Sequence, residues 1–419
     1  MLRMFSYIIP TRNRPEVLLA TLAQLRRLHD TPDAPAAEVV LIDNASERPL
    51  PAGRLRETLG GRLSLSVLYH KSNAGAASRN IAAAAADSRS RWLVMLDDDS
   101  APLDLGFVPL LTAAAADVSA IAAEIWLPPQ GGRPRREAGG LPEVFIGCGV
   151  AIRRECLLPL GGYDPSFNYY AEEYDLAARM IAAGGRVCLD RRFRVLHRKV
   201  TAGRDMNLIL RRLVRNNAVV AARYAPAQEL VPAIAETLTR YASIAIKEDA
   251  MEGYLLGVAE LAARLWRQRR TPLTREQWDR FTGLAAARKV ACSLRQEGET
   301  RVSLIAPGKN QWAVRRAVTE AGLTCVGADA AGAVPRLVGT LSPGPAWDAA
   351  EAARTLPNRQ GSGGEVWVPF VAAGGSIEQE SVSRANRQHA ADESSTADSP
   401  GASHGTQVTA REQSRSHAA

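Results

Sequence analysis

The chain has 419 residues, 46% of them hydrophobic and 23% charged, which is ordinary for a folded globular protein and long enough for more than one domain. Its net charge of +8 is spread over short clusters (Arg26-Arg27, Arg133 to Arg136, Arg191-Arg192, Arg267 to Arg270) without interleaved aromatics, which argues against nucleic acid as a partner. Five cysteines at wide spacing, with no CxxC pair, exclude a zinc cage or a disulfide framework and read as buried thiols of a reducing cytoplasm.

Phe5 to Ile9 reads as a buried strand that begins almost at once, with no secretory leader pattern before it. Pro15 opens a helix carrying Val17, Leu18, Leu22, Leu25 and Leu28 at helical spacing. Glu38 to Ile42 is a second strand and Leu65 to Tyr69 a third. Asn73-Ala74-Gly75 opens an alanine-rich helix to about Asp87, and Trp92 to Leu96 is a fourth strand. Strands alternating with helices predict an α/β fold with a Rossmann-like, mostly parallel sheet, whose ligands sit beyond the carboxyl ends of the strands. Three polar clusters fall at such ends: Thr11 to Arg14, Asp43 to Ser46, and the triplet Asp97-Asp98-Asp99.

Further strands are expected at Ala120 to Trp126, Val144 to Ile152 and Phe193 to Leu196, with a mobile loop at Pro128 to Gly132. Glu172 to Ala183 is a helix stopped by Gly184-Gly185. Residues 206–290 read as helical. Val302 to Ala306, Trp312 to Ala321 and Thr324 to Gly327 then suggest a small βαβ unit. Its turn, Pro307-Gly308-Lys309-Asn310, holds one glycine where a dinucleotide fingerprint wants three. The expected organisation is a catalytic domain over 1–205, a helical extension over 206–297, a small α/β domain over 298–372 and a disordered tail over 373–419. No apolar run reaches the roughly 18 residues of a membrane span.

Adjacent aspartates repel one another unless a cation neutralises them, and oxygen-rich carboxylate sites suit Mg²⁺ or Mn²⁺ bridging to phosphates. Alternation at a strand end puts Asp97 and Asp99 on one side and Asp98 on the other. An acidic pair at a helix start, Glu172-Glu173, offers a base.

The stretches Ser6 to Arg14, Ile42 to Ser46, Asn73 to Asn80, Leu96 to Asp99, Gly161 to Asp164 and Glu172 to Arg179, in this order, resemble a family 2 glycosyltransferase of the GT-A fold. The resemblance implies inverting transfer of a sugar from a UDP- or dTDP-sugar to a glycan, lipid-linked or small-molecule hydroxyl acceptor. It also implies a role in bacterial surface-glycan assembly, in the cytoplasm or peripherally at the inner face of the membrane. By the same resemblance Pro10, Thr11, Arg14, Asp43, Arg79, Asp97 and Asp98 meet the donor, and Asp97, Asp99 and His197 hold Mn²⁺ or Mg²⁺. Glu173 is then the base, with Asp175 or Glu172 as the alternative, and Asp164 borders the acceptor. Two rivals stand beside this reading. A nucleotidyltransferase would want a glycine in the turn Thr11 to Arg14, which has none, and a non-catalytic sugar-nucleotide-binding scaffold would not need the intact acidic residues.

Overall fold

The computed structural model describes residues 5–199, 205–327, 333–355 and 363–371. The tail expected over 373–419 lies outside them. In chain order the first half gives β1 (Phe5–Thr11), α1 (Pro15–His29), β2 (Ala37–Asn44), α2 (Ala52–Leu59), β3 (Ser64–His70), α3 (Ser78–Ala85), β4 (Trp92–Leu96), β5 (Ser100–Pro102) and α4 (Val108–Ala113). It continues with β6 (Val118–Gln130), β7 (Arg133–Arg136), β8 (Gly149–Arg153), α5 (Arg154–Leu157), α6 (Glu172–Ala182) and β9 (Arg186–His197).

Among the described residues these nine strands form one sheet in the order β3-β2-β1-β4-β8-β6-β9-β5, with β7 paired to β6. β3, β2, β1 and β4 are mutually parallel; β8 runs against β4 and β6, and β9 is parallel to β6. The central strands β2 and β4 are buried along their whole length, as expected of a parallel sheet covered on both faces. Leu18, Leu22 and Leu25 of α1, with Leu55 of α2, pack against Tyr7, Ile9, Val39 and Leu41 on one face. Ile8, Val40 and Ile42 face the other way, into a core shared with α3 and α6.

Two expectations need correction here. Pro128 to Gly132 is not a loose loop: β6 continues to Gln130 and turns back into β7 through Gly131 and Gly132, whose φ values of 58° and 75° suit a tight hairpin. The strand expected over 144–152 enters the ladder only at Gly149, because Leu141 and Val144 exchange backbone hydrogen bonds of 2.9 Å and close a separate turn.

The helical stretch is α7 (Met206–Tyr224), α8 (Ala227–Lys247), α9 (Met251–Leu265), α10 (Arg275–Thr282) and α11 (Leu284–Gln296). No described helix is long and apolar enough to cross a membrane. Beyond it come β10 (Arg301–Ile305), α12 (Gln311–Glu320), β11 (Thr324–Val326), β12 (Val334–Val338), α13 (Pro343–Thr355) and β13 (Gly363–Trp367). Where the sequence suggests one βαβ unit, the structure builds a four-stranded parallel sheet, β11-β10-β12-β13. Its core, with Val302, Val314, Leu337 and Trp347, is continuous with the α6 side of the first sheet.

The second sheet is joined to the first by a buried arginine. Arg136, at the end of β7, has a side chain only 3% exposed and bonds Glu124 at 2.7 Å, Asp348 at 2.6 Å and Glu351 at 2.7 Å. Its guanidinium lies over the Trp126 ring, 4.1 Å from the centroid. A guanidinium carries enough donors to satisfy three carboxylates at once, which a lysine could not do in this fork geometry.

Candidate active site

The carboxyl ends of β1, β2 and β4 meet at one rim. Parallel register sets Thr11 beside Asp43, and the chain leaving β4 delivers Asp97, Asp98 and Asp99 next to them. The three aspartates diverge. Asp98 is 1% exposed and points inward, where Thr11 Oγ1 donates to it at 2.8 Å and Arg14 forms an ion pair with it. Burial pushes Asp98 up to about 7, against the opposing pull of Arg14 and Thr11. Asp97 is more open and pairs with Arg79 from α3, while Asp99 lies 3.4 Å from His197 Nε2. Arg14 also reaches Asp99, at 3.3 Å.

His197 ends β9, which pairs antiparallel with β5 so that His197 stands opposite Ser100. Its Nδ1 lies 3.0 Å from Glu137 Oε2, and Lys199 donates to the other oxygen of Glu137 at 2.7 Å. Burial works against a charged imidazole, yet its bonds to Asp99, Cys148 and Glu137 outweigh that and push its pKa up to about 12. Ligating atoms of Asp97, Cys148 and His197 lie within 4.8 Å of one another. Burial also raises the Cys148 thiol. Within that group Asp97 and His197 are the oxygen and nitrogen donors that could hold a divalent ion, with Asp99 3.4 Å from His197 Nε2 and Glu137 at its Nδ1; a metal there would have to displace the imidazole proton. That mixture of oxygen and nitrogen suits Mn²⁺ better than Mg²⁺.

Asp43 is 4% exposed and accepts the Ser46 amide at 2.9 Å, which shapes the turn after β2. Pro10 precedes this rim, in register with Ile42. Asn44, which the sequence does not single out, donates to Asn73 at 3.0 Å and to the Gly75 carbonyl at 3.2 Å, so it fixes the turn that leads into α3 and Arg79. Gly75 is required there: its φ is +61°, and a Cβ would stand 2.2 Å from the Asn168 carbonyl oxygen.

A second set of carboxylates opens α6. Glu172 is 9% exposed and Glu173 half-buried. Burial and the charge of Glu173 hold Glu172 well above the usual carboxylate range. Burial raises Glu173 too, but Lys309, Arg79 and a bond from Glu172 favour its anion. Both acids are therefore raised, Glu172 the further of the two.

The approach to this pair is strained. Asn168, Tyr170 and Ala171 have φ values of 64°, 72° and 67°, which non-glycine residues adopt only when their surroundings enforce it. Asn216 of α7, 1% exposed, enforces it: its Nδ2 lies 3.0, 2.9 and 2.8 Å from the carbonyls of Phe167, Tyr169 and Tyr170.

Asp175 does not join the cluster. It is fully buried and takes bonds from Arg179 at 2.9 Å, Arg223 at 2.8 Å and Tyr224 at 2.7 Å, which hold α6 to α7. Asp164 shares Arg223 with it at 2.7 Å and accepts the Ser166 amide at 2.8 Å. Thr11, Arg14, Arg79, the aspartate triplet and His197 are thus brought together, with Glu172 and Glu173 reaching them through the charge of Arg79. Glu137, Cys148 and Asn216 complete the site and carry no local motif by which the sequence could reveal them.

Residues 6–170 match the model of glycosyl transferase family 2. No curated protein matches the chain significantly. Among solved structures, a mannosyltransferase from Pyrobaculum calidifontis determined with GDP-Man and Mn²⁺ is 18% identical, covering 64% of this chain and 89% of its own, with a TM-score of 0.43. TarS from S. aureus, residues 1–349 with UDP-GlcNAc, is 14% identical over 76% of this chain and 91% of its own, with a TM-score of 0.46.

Proposed function

We propose that this chain, a glycosyltransferase belonging to glycosyl transferase family 2 through its residues 6–170, is an inverting, metal-dependent enzyme that moves a sugar from a UDP- or dTDP-sugar to a hydroxyl acceptor. The observation that carries this reading is the division of carboxylates between two rims. At one rim Asp97 has a ligating atom within 4.8 Å of one on His197, and Asp99 lies 3.4 Å from the same imidazole; at the other stands a neighbouring pair with raised pKa values, Glu172 and Glu173.

Sugar transfer from a nucleotide diphosphate needs the departing pyrophosphate stabilised as its charge develops. Asp97, Asp99 and His197 would hold Mn²⁺, which supplies Lewis-acid stabilisation of that leaving group. Arg14 and Arg79 add fixed positive charge beside it. Asp43 and Thr11 line the donor's nucleoside end, with Pro10 shaping the strand exit. Asp98, turned inward between Thr11 and Arg14, keeps both in place rather than meeting the donor's hydroxyls directly. Glu173 takes the proton from the acceptor hydroxyl as that oxygen attacks the anomeric carbon from the face opposite the leaving group. Glu172 remains protonated and steadies the anion of its neighbour. Residues 1–205 are the transfer domain in this reading, with 206–297 and 298–372 closing its acceptor side. Assembly of a surface glycan at the cytoplasmic face of the membrane is the setting that fits.

A thermal-shift panel of UDP, dTDP, GDP and CDP with and without Mn²⁺ tests it. A Tm increase for UDP or dTDP that depends on Mn²⁺ is expected. Absence of a shift with every nucleotide would overturn the reading in favour of a scaffold. Proton NMR of the transferred product then reads the anomeric configuration, and retention would overturn the inverting step.

A further inference from the structure

A cavity of about 320 Å³ lies where α6, the helical extension and the second sheet meet. It sits beyond the carboxyl end of β10, which is where open α/β sheets take ligands. The turn that forms this edge, Pro307 to Asn310, is not spent on a dinucleotide. Asn310 adopts φ 55° and donates to the Thr282 carbonyl at 2.8 Å, and Gly308 is packed so closely that a Cβ would meet Thr340 at 2.8 Å. The turn therefore projects Lys309 into the space above α6. Volumes of this size hold small organic ligands.

The lining is chemically specific. Aromatic faces from Tyr174, Trp278, Phe281 and Trp312 surround it. Trp278 is 5% exposed, and its indole N–H has no acceptor among the described residues. Arg240 Nε makes no hydrogen bond either; the nearest carboxylate, Glu236, is 3.9 Å away. Buried donors left without acceptors are costly unless a ligand or ordered water completes them. Lys309 lies over the Tyr174 ring, 4.3 Å from its centroid, and bonds its hydroxyl. Tyr174, which lines the cavity, directly follows Glu173 in α6, so the cavity reaches the helix turn that carries the proposed base.

We propose that this cavity binds the non-sugar portion of the acceptor, a compact ring-bodied group carrying oxygen acceptors, and so presents the acceptor's hydroxyl to Glu173. The proposal rests on the transferase reading above, in which Glu173 is the base. The ring stacks among Tyr174, Trp278, Phe281 and Trp312. Its oxygens satisfy the indole of Trp278 and the guanidinium of Arg240. A compact aryl group matches a volume of about 320 Å³, which a long polyprenyl chain would overrun.

The test uses the full chain with p-nitrophenyl β-D-glucopyranoside as probe and methyl β-D-glucopyranoside as control, by calorimetry. The aryl glucoside should bind at least roughly tenfold more tightly than the methyl glucoside. Ala233→Trp, which fills the cavity from α8, should remove that preference while the Mn²⁺-dependent Tm shift with UDP is kept. Trp278→Phe provides a milder variant: it should weaken the nitrophenyl glucoside while leaving phenyl β-D-glucopyranoside, which lacks the nitro oxygens, little changed. Equal binding of aryl and methyl glucosides, or an Ala233→Trp protein that keeps the preference, overturns the proposal. So does binding only of a polyprenyl-phosphate-linked sugar in phosphatidylcholine vesicles. Loss of the UDP shift in the unmodified protein would instead overturn the transferase reading itself.

Discussion

The two acidic rims of this molecule set carboxylates in opposite surroundings. At the ends of β1 and β4 each aspartate faces a cation: Asp97 meets Arg79, Asp98 meets Arg14, and Asp99 meets His197. At the start of α6 two glutamates are neighbours in a desolvated place, where backbone hydrogen bonds and the charges of Arg79 and, for Glu173, Lys309 only partly offset the cost of burial. Carboxylates at a strand-end rim beside an imidazole can take a metal in its place among the charges, once that imidazole is neutral; carboxylates crowded in low dielectric acquire a raised pKa. The difference lies in what surrounds the acids, and it can be broken from either side.

The largest effect is expected at the base. Glu173→Gln preserves size and burial but removes the proton acceptor, so transfer should fall by about 10²–10⁴-fold. UDP binding with Mn²⁺ should survive. A titration of kcat/KM against pH sharpens the point. In the proposed mechanism Glu173 acts as the anion, and its pKa lies above the usual value of 4.5, so the rate should fall as pH drops through a midpoint higher than that. Lys309→Met removes a cation that favours the anion, so the midpoint should move further up. A midpoint unmoved by Lys309→Met would mean that the charge of Lys309 does not reach the base.

Next in size is the metal rim. Asp99→Ala should abolish Mn²⁺ binding as read by calorimetry and remove the Mn²⁺ dependence of UDP-sugar hydrolysis. Glu137→Gln touches no donor but weakens the hold on His197 Nδ1, a loss that costs about 10–100-fold in metal affinity. Mn²⁺ binding that is unaltered in Glu137→Gln would show that His197 is oriented by other means.

The two rims also differ in how far the sequence reveals them. Asp43 and the aspartate triplet of the donor rim sit at strand ends next to apolar runs, and Trp92 to Leu96 announces the triplet; Glu137 behind His197 has no such signal. Parallel register then does the rest, bringing Thr11 beside Asp43 without any contact that had to be guessed. On the base rim the acids are visible but their partners are not. Asn216 reaches the Phe167 carbonyl across 49 positions and Lys309 reaches Tyr174 across 135, just as, at the junction of the two sheets, Arg136 reaches Glu351 across 215. A lone asparagine on a helix or a lone arginine in a hairpin carries no periodic signal, and only tertiary packing gives it a task. The same holds for Asp175. Its place in the helix start makes it look like a base, while Arg179, Arg223 and Tyr224 make it a buried tie between α6 and α7.

The smallest effect, and the most discriminating, is expected from Asn216. Asn216→Asp keeps the shape of the side chain but replaces the amide that holds three carbonyls by an oxygen that repels them. The loop Asn168 to Ala171 would no longer be held at positive φ, a conformation that costs on the order of 1–3 kcal/mol per residue when nothing enforces it. Relaxation of that loop shifts Glu173 relative to the acceptor without touching Asp97, Asp99 or His197. Transfer should therefore drop, by roughly tenfold, while the Mn²⁺-dependent shift with UDP stays as it was. If both fall together, α6 and the metal rim are one mechanical unit. If transfer alone falls, the base is positioned separately, by α7, and the helical extension is part of the catalytic apparatus rather than an appendage to it.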